Sequence, residues 1–204
     1  MKHIIIIWCV IVFLTVLYVY LNLYRPPQVI RGVLTEDDIE YIQNISRDKI
    51  FESKIVGNDN PDTSIRKSRQ CWLFKDEDER IRELFERVGR LVNKNPHKSE
   101  DLQVVHYDAT DFYKPHHDTC CFGSCNKDPM VNERIKTVIV YLTDNFEGGE
   151  THFPNLNLKF KPRKGDAVAF DTYNMFGQCD KRALHEGLPV TSGVKNICTF
   201  WFHR

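Results

Sequence analysis

His116 and Asp118 in the run Tyr113-Lys-Pro-His-His-Asp118, together with His185 in His185-Glu-Gly-Leu-Pro, can converge on one metal ion. Two imidazoles and one carboxylate form the facial set that holds non-haem Fe(II) and leaves coordination positions open. In an extended segment alternate residues share a face, so His116 and Asp118 project together and His117 projects away. Lys195, in the segment that follows His185, adds a fixed cation. The combination suggests an oxygenase rather than a structural metal site. A His-x-Asp triplet alone arises often by chance, and a lone strand lysine is ordinarily at the surface. The distant His185 and Lys195 give the pattern its weight.

These residues need a scaffold. The chain has 204 residues, with 28 Lys+Arg against 28 Asp+Glu and zero formal net charge. No field of one sign is available to draw in nucleic acid from a distance. The short basic clusters Arg66-Lys67-Ser68-Arg69 and Lys159 to Lys164 read as solvated turns. Ile4 to Tyr24 carries no charge and predicts a helix long enough to span a bilayer. It lacks the small residues of a cleavage site, so it reads as an uncleaved signal anchor, with Tyr18, Tyr20 and Tyr24 at an interface. Residues 1–27 are then anchor and linker, and 28–204 one domain of about 180 residues, enough for a real core. Lys2 before the span and Arg25 and Arg31 after it leave the charge rule nearly balanced. The expected placement is single-pass, with the domain in the lumen of the endoplasmic reticulum.

Outside the span stand Cys71, Cys120, Cys121, Cys125, Cys179 and Cys198. An even number fits an oxidising compartment, and free thiols in a reducing one are the alternative. The pairing is open; adjacent Cys120 and Cys121 need separate partners. Asn44-Ile45-Ser46 is a glycosylation triplet inside a predicted helix.

Arg25-Pro26-Pro27 ends the first helix and opens a stiff linker. Thr35 to Asp38 reads as a capped helix start, followed by Ile39, Ile42 and Ile45 at helical spacing. Gly57 to Thr63 is loop. A second helix near Glu77 to Val92 turns Ile81, Leu84, Phe85, Val88 and Leu91 to one face. Beyond Asp101 the pattern shifts to strands at 102–107, 135–142, 156–160, 167–171 and 196–203. No helical period separates them, which excludes a parallel βαβ sheet. The fold class is mainly β: a sandwich or jelly roll with supporting helices.

The stretch from Tyr107 to Trp201 resembles the catalytic domain of the prolyl 4-hydroxylase group of Fe(II)/2-oxoglutarate dioxygenases. The matching blocks are Tyr107-x5-Tyr113-x-Pro115-His116-x-Asp118, Arg134-x2-Thr137-x3-Tyr141-Leu142-Thr143-Asp144 and Gly148-Gly149-Glu150-Thr151-x-Phe153-Pro154. Lys164-Gly165-Asp166-Ala167-x2-Phe170 and His185-x-Gly187-x-Pro189-Val190-x2-Gly193-x-Lys195-x5-Trp201 complete the set. Val33 to Asp38 and Arg66-x-Ser68 match more faintly. The resemblance implies a double-stranded β-helix with His116, Asp118 and His185 as iron ligands. It implies that Lys195 pairs with the distal carboxylate of 2-oxoglutarate and that Tyr107 and Thr151 donate hydrogen bonds to it. Tyr113, Arg134, Trp201 and His203 match positions that line the peptide groove. The cysteine-rich loop between Asp118 and Arg134 departs from the pattern and is a candidate lid.

The implied reaction consumes O2, oxidatively decarboxylates 2-oxoglutarate to succinate, and hydroxylates prolyl residues of a peptide or protein. L-Ascorbate keeps the iron reduced. Rival readings are the same chemistry on lysine or a small molecule, a non-catalytic jelly-roll binding module, and a zinc hydrolase. The module would lack a ligand or the cosubstrate cation, and the hydrolase gives Lys195 no purpose.

Overall fold

The computed structural model describes residues 2–22, 24–54, 62–120, 131 and 134–204. Three helices are described: α1 (Lys2–Asn22), α2 (Glu36–Ser46) and α3 (Glu79–Val92). The strands are β1 (Gln28–Ile30), β2 (Phe51–Glu52), β3 (Arg66–Lys67), β4 (Arg69–Leu73), β5 (Leu102–Tyr107), β6 (Phe112–His116) and β7 (Arg134–Tyr141). They continue with β8 (Phe146–Gly148), β9 (Thr151–Phe153), β10 (Leu158–Phe160), β11 (Ala167–Asp171), β12 (His185–Gly187), β13 (Val190–Gly193) and β14 (Lys195–His203). A major sheet runs β1-β11-β7-β14-β5-β4-β2 and a minor sheet β10-β9-β12-β6-β3, while β8 pairs with β13. The pairings are antiparallel, as expected for a jelly roll.

Strand parity divides the interior in two. On β7, Val138 and Val140 face the helices, whereas Ile139 and Tyr141 face the minor sheet. On β14, Cys198, Phe200 and Phe202 face the helices and Ile197 faces inward. The outer core joins these residues to Ile39 and Ile42 of α2 and to Ile81, Leu84, Phe85 and Val88 of α3. The inner core adds Phe153, Phe170 and Val190 and carries the cavity.

Local signals set the helix starts. The Thr35 hydroxyl accepts from the Asp38 N–H at 3.2 Å, and the Asp38 carboxylate accepts from the Thr35 N–H at 2.9 Å. Asp38 also binds the guanidinium of Arg87, tying α2 to α3. Asp78 caps α3, accepting from the Ile81 N–H at 3.1 Å.

Several expectations need correction. Among the described residues no helix is long and apolar enough to cross a membrane. The predicted span is present as helix α1 (Lys2–Asn22). Tyr24, expected at an interface, is buried in the inner core under the Arg182 guanidinium, 5.0 Å away. Gln28–Ile30, at the start of the predicted domain, is an edge strand on β11. Arg66 to Arg69 forms strands, with Arg66 and Ser68 buried. Leu91 is 53% exposed, and Gly89 takes its place on the buried face of α3. Leu156 closes a 3-10 turn, so that strand begins at Leu158. Most of the loop at 57–63 lies outside the described residues.

Phe85 packs edge-on against Phe200 at 4.8 Å, on the far side of the major sheet from the cavity. Phe85→Ala should destabilise the fold by about 3–5 kcal/mol in urea titration. Calorimetric binding of 2-oxoglutarate by the folded fraction should stay unchanged.

Candidate active site

The β6–β12 pairing sets His116 directly opposite His185. Their ring centroids lie 4.3 Å apart. Asp118 follows two residues beyond His116, on the same side. The three residues offer ligand atoms all within 4.8 Å of one another, forming the metal-competent group among the described residues. Each imidazole Nε2 lies 3.8 Å from an Asp118 oxygen. His116 Nδ1 sits 2.8 Å from the Lys114 carbonyl, and His185 Nδ1 sits 3.1 Å from the Ala183 carbonyl. A carbonyl only accepts, so Nδ1 carries the proton and Nε2 presents its lone pair to the shared centre.

Asp118 is fixed from the opposite sheet. The Thr137 hydroxyl of β7 donates to Asp118 Oδ2 at 2.6 Å, and the Arg134 guanidinium donates to the Asp118 carbonyl at 3.3 Å. Burial alone would raise the Asp118 pKa. His185, His116, Arg134 and Thr137 outweigh it and hold the group at about 2. His116 is pulled down to about 3, by burial first and then by His185. At neutral pH the cluster is thus a carboxylate with a neutral His116 imidazole, the state a metal needs. His117 stays outside the ligand group, although it reaches the cavity wall.

A cavity of about 290 Å³ runs from this cluster to Lys195. Lys195 opens β14 opposite Tyr107 of β5 and is only 2% exposed. Its ammonium donates to the Gly149 carbonyl at 2.6 Å and lies 5.1 and 5.3 Å from the ring centres of Tyr107 and Tyr141. Burial lowers its pKa to about 7, against a weaker upward pull from Glu150. No carboxylate lies within 4.0 Å of it among the described residues. A Cβ placed on Gly187 would sit 4.0 Å from the Lys195 ammonium and meet nothing nearer than 3.7 Å. Without a side chain, Gly187 leaves the cavity wall low beside the cation. That space suits an anion that bridges Lys195 and the metal cluster.

Thr151 lines the same end and shares a 2.7 Å hydrogen bond with the Tyr141 hydroxyl. Tyr107 lines it too, but its hydroxyl hydrogen-bonds Arg66 and Ser68. Sequence reasoning gave Tyr141 no role and Arg66 a place in a turn. The usable signals were the tyrosine inside the matched Arg134–Asp144 block and the alternate-residue spacing of Arg66 and Ser68. Arg66 Nε donates to Ser68 Oγ at 2.9 Å, and its guanidinium lies 4.7 Å from the Tyr113 ring centre.

The opposite end of the cavity is aromatic. Tyr113 stacks on His116 at 3.6 Å between centroids. Trp201 lies 5.9 Å from Trp72, with the Arg134 guanidinium 3.9 Å from its ring centre. Its indole N–H is buried without a hydrogen-bond partner among the described residues. Arg134 lines the cavity while bound to Glu100 by two contacts of 2.5 and 2.6 Å. His203 reaches Glu100 at 2.9 Å and lies off the cavity wall, behind this pair. Glu100 was not foreseen. Burial would raise its pKa, but Arg134 and His203 keep it low.

Cys120 and Cys179 are disulfide-bonded, and Cys71 and Cys198 are buried free thiols. Cys121, Cys125 and most of the candidate lid lie outside the described residues.

The depressed Lys195 pKa has a definite sign. The folded, ligand-free protein loses this proton near pH 7, whereas an ordinary lysine holds it up to 10.5. An anion binding there must restore it, so 2-oxoglutarate affinity should fall by up to about tenfold per pH unit above 7. Between these pKa values the unfolded chain holds more protons at this site. Its contribution to the stability of the ligand-free protein should therefore rise with pH over that window. Calorimetry across pH 6.5–9 checks the first outcome and denaturant titration the second. Gly187→Leu should fill the space beside Lys195 and abolish 2-oxoglutarate binding with little change in melting temperature.

Residues 102–203 match the model of the 2OG-Fe(II) oxygenase superfamily. A putative prolyl 4-hydroxylase of Acanthamoeba polyphaga mimivirus is 37% identical over 185 residues, 89% of this chain and 75% of the relative. A probable prolyl 4-hydroxylase of Arabidopsis thaliana is 32% identical over 197 residues, 86% of this chain and 67% of the relative. The viral collagen prolyl hydroxylase of Paramecium Bursaria Chlorella virus-1, solved as a 2OG complex, superposes with a TM-score of 0.68 at 30% identity. That match covers 88% of this chain and 96% of the viral one. Two sheets around a His-Asp-His cluster, a buried lysine across one cavity and these relatives agree: the chain belongs to the prolyl 4-hydroxylase group of the 2OG-Fe(II) oxygenases.

Proposed function

We propose that this protein hydroxylates prolyl residues of a peptide or protein, with 2-oxoglutarate as cosubstrate and Fe(II) held by His116, Asp118 and His185. The observation that carries the reading is one cavity with a metal-competent cluster in its middle and an unpaired buried ammonium at one end. Two nitrogens and one oxygen suit Fe(II), and the space at Gly187 suits a dicarboxylate reaching Lys195. When bound, iron and 2-oxoglutarate supply the oxidising chemistry: O2 is consumed, 2-oxoglutarate becomes succinate and CO2, and one oxygen enters a C–H bond. Ascorbate as reductant belongs to the same proposal, on the strength of family membership.

The chain's own residues orient and exclude. The carbonyls of Lys114 and Ala183 aim both imidazoles, and Thr137 fixes the Asp118 carboxylate that would hold the metal with them. Lys195 neutralises the distal carboxylate, with the Thr151–Tyr141 hydroxyl pair beside it, which offsets the desolvation of a buried anion. Val105, Ile139 and Ile197 wall this end with hydrocarbon and keep water out.

Tyr113, Trp72 and Trp201 offer flat apolar faces that suit a pyrrolidine ring. Arg66 is buried beside them with no carboxylate within 4.0 Å among the described residues. A lysyl substrate would bring a second cation there, so proline is favoured over lysine.

The disulfide-bonded Cys120 and Cys179 support an oxidising compartment such as the lumen of the endoplasmic reticulum. Attachment to a membrane through α1 is part of the proposal. Its support is that the side chains of residues 4–20 are exposed round the whole helix and almost entirely apolar.

The test is turnover by the purified chain with Fe(II), 2-oxoglutarate and proline-rich peptides. Mass spectrometry should find one added oxygen on proline, matched by succinate. His116→Ala should abolish both products, and turnover that survives it rejects the ligand assignment. Lys195→Ala should raise the KM for 2-oxoglutarate by roughly a hundredfold or more, the cost of leaving a buried carboxylate without its cation.

A further inference from the structure

At the foot of α1 the domain carries features the oxygenase site does not use. A groove of about 610 Å³ lies there, walled in part by Tyr24, Arg25, Lys94, Tyr173, Met175 and Arg204. Arg25, Lys94 and Arg204 have no side-chain carboxylate within 4.0 Å among the described residues. Arg204 lies 4.4 Å from the Tyr173 ring centre and donates to the Gly177 carbonyl at 3.2 Å. The acids of this region are already engaged: Asp171 binds Lys136 at 3.0 Å and Asp180 binds Arg182 at 2.7 Å. Arg25, Lys94 and Arg204 are thus left without a side-chain counter-ion among the described residues. The Tyr24 hydroxyl on its wall is buried with no hydrogen-bond partner among the described residues.

A turn on the rim presents Met175 and Phe176, 65% and 61% exposed. The turn is internally braced. Asn174 Oδ1 accepts from the N–H groups of Phe176 and Gln178 at 2.9 and 3.1 Å, and Tyr173 bridges Cys179. Two large apolar side chains are thus held out in water beside a cationic groove. The apolar helix α1 departs from the same place, since Tyr24 and Arg25 belong to the groove. Exposed apolar tips next to lysine and arginine are the features by which a protein seats on a lipid interface.

We propose that this face docks on an anionic phospholipid surface, with Met175 and Phe176 in the headgroup boundary and Arg25, Lys94 and Arg204 on lipid phosphates. The inference rests on the proposed membrane attachment through α1 and is independent of the hydroxylase reading. It is tested on the full chain carrying Phe176→p-benzoylphenylalanine, mixed with phosphatidylcholine vesicles with and without phosphatidylserine. Irradiation and mass spectrometry then identify what the residue touches. Lipid adducts at 176 are expected, enriched with phosphatidylserine, lost at high salt and lost in the Arg25→Glu, Lys94→Glu, Arg204→Glu variant. The same probe at exposed Phe74, away from the groove, should give none. Circular dichroism and melting temperature should be the same in all of them, which verifies folding. Adducts to a second copy of the chain would overturn the proposal in favour of self-association. Adducts indifferent to headgroup and to charge reversal would overturn the phosphate pairing. A chain that floats with vesicles yet gives no adduct at 176 would overturn the docking face and leave helix attachment standing. A chain that fails to float would overturn both.

Discussion

The register between two short strands governs the rest of this structure. His116 on β6 faces His185 on β12, and side chains alternate with a period of two. A slip of one residue would send one imidazole to the outer face, where Glu186 and His152 already pair at 2.7 Å. The register is held by more than the ladder. Both rings are anchored through Nδ1 to carbonyls on their own segments. Asp118 lies past the end of β6, so the second sheet must supply its anchor, and Thr137 does so. The metal-competent cluster therefore exists only when the two sheets are packed.

The buried cations along the cavity differ in how they are compensated. Arg134 is neutralised by Glu100 and acts as a fixed brace between Trp201 and the Asp118 backbone. Arg66 has hydroxyls, a carbonyl and an aromatic face for partners. Lys195 has one carbonyl and two ring faces. Uncompensated charge in a buried site is costly unless a ligand supplies the counter-ion. The protein leaves Lys195 without a counter-ion at the end of the cavity where a carboxylate is expected, and neutralises Arg134 with Glu100 beside Trp201.

What could be read in the chain and what could not follows from the range of the interactions. That His116, Asp118, His185 and Lys195 would meet on one cavity was legible, because strand parity and motif order can be read along the chain. The cap of α2 was legible for the same reason, whereas the Asp78 cap of α3 was not read from the sequence. Arg66 and Ser68 were misread because a run of Arg, Lys and Ser looks solvated until partners far along the chain, Ser53 and Tyr107, are known to cover it. Glu100 carried no signal, since its role depends on Arg134 and His203 arriving from two other strands. Three-residue strands such as β1, β9 and β12 are too short to show a period. Tyr24 looked like part of an apolar tract, and only tertiary packing assigns it to the core.

Along β5 and β14, and along β7 from Thr137 onward, one parity carries chemistry and the other packing. Tyr107, Thr137, Tyr141, Lys195 and Trp201 alternate with Val104, Val138, Val140, Cys198 and Phe200. Evolution can therefore rewrite the helical layer, and a designer can repack it for thermal robustness, without touching reaction geometry. Sequence drift at residues 138 and 140 of β7 and at 198, 200 and 202 of β14 becomes nearly decoupled from selection on turnover.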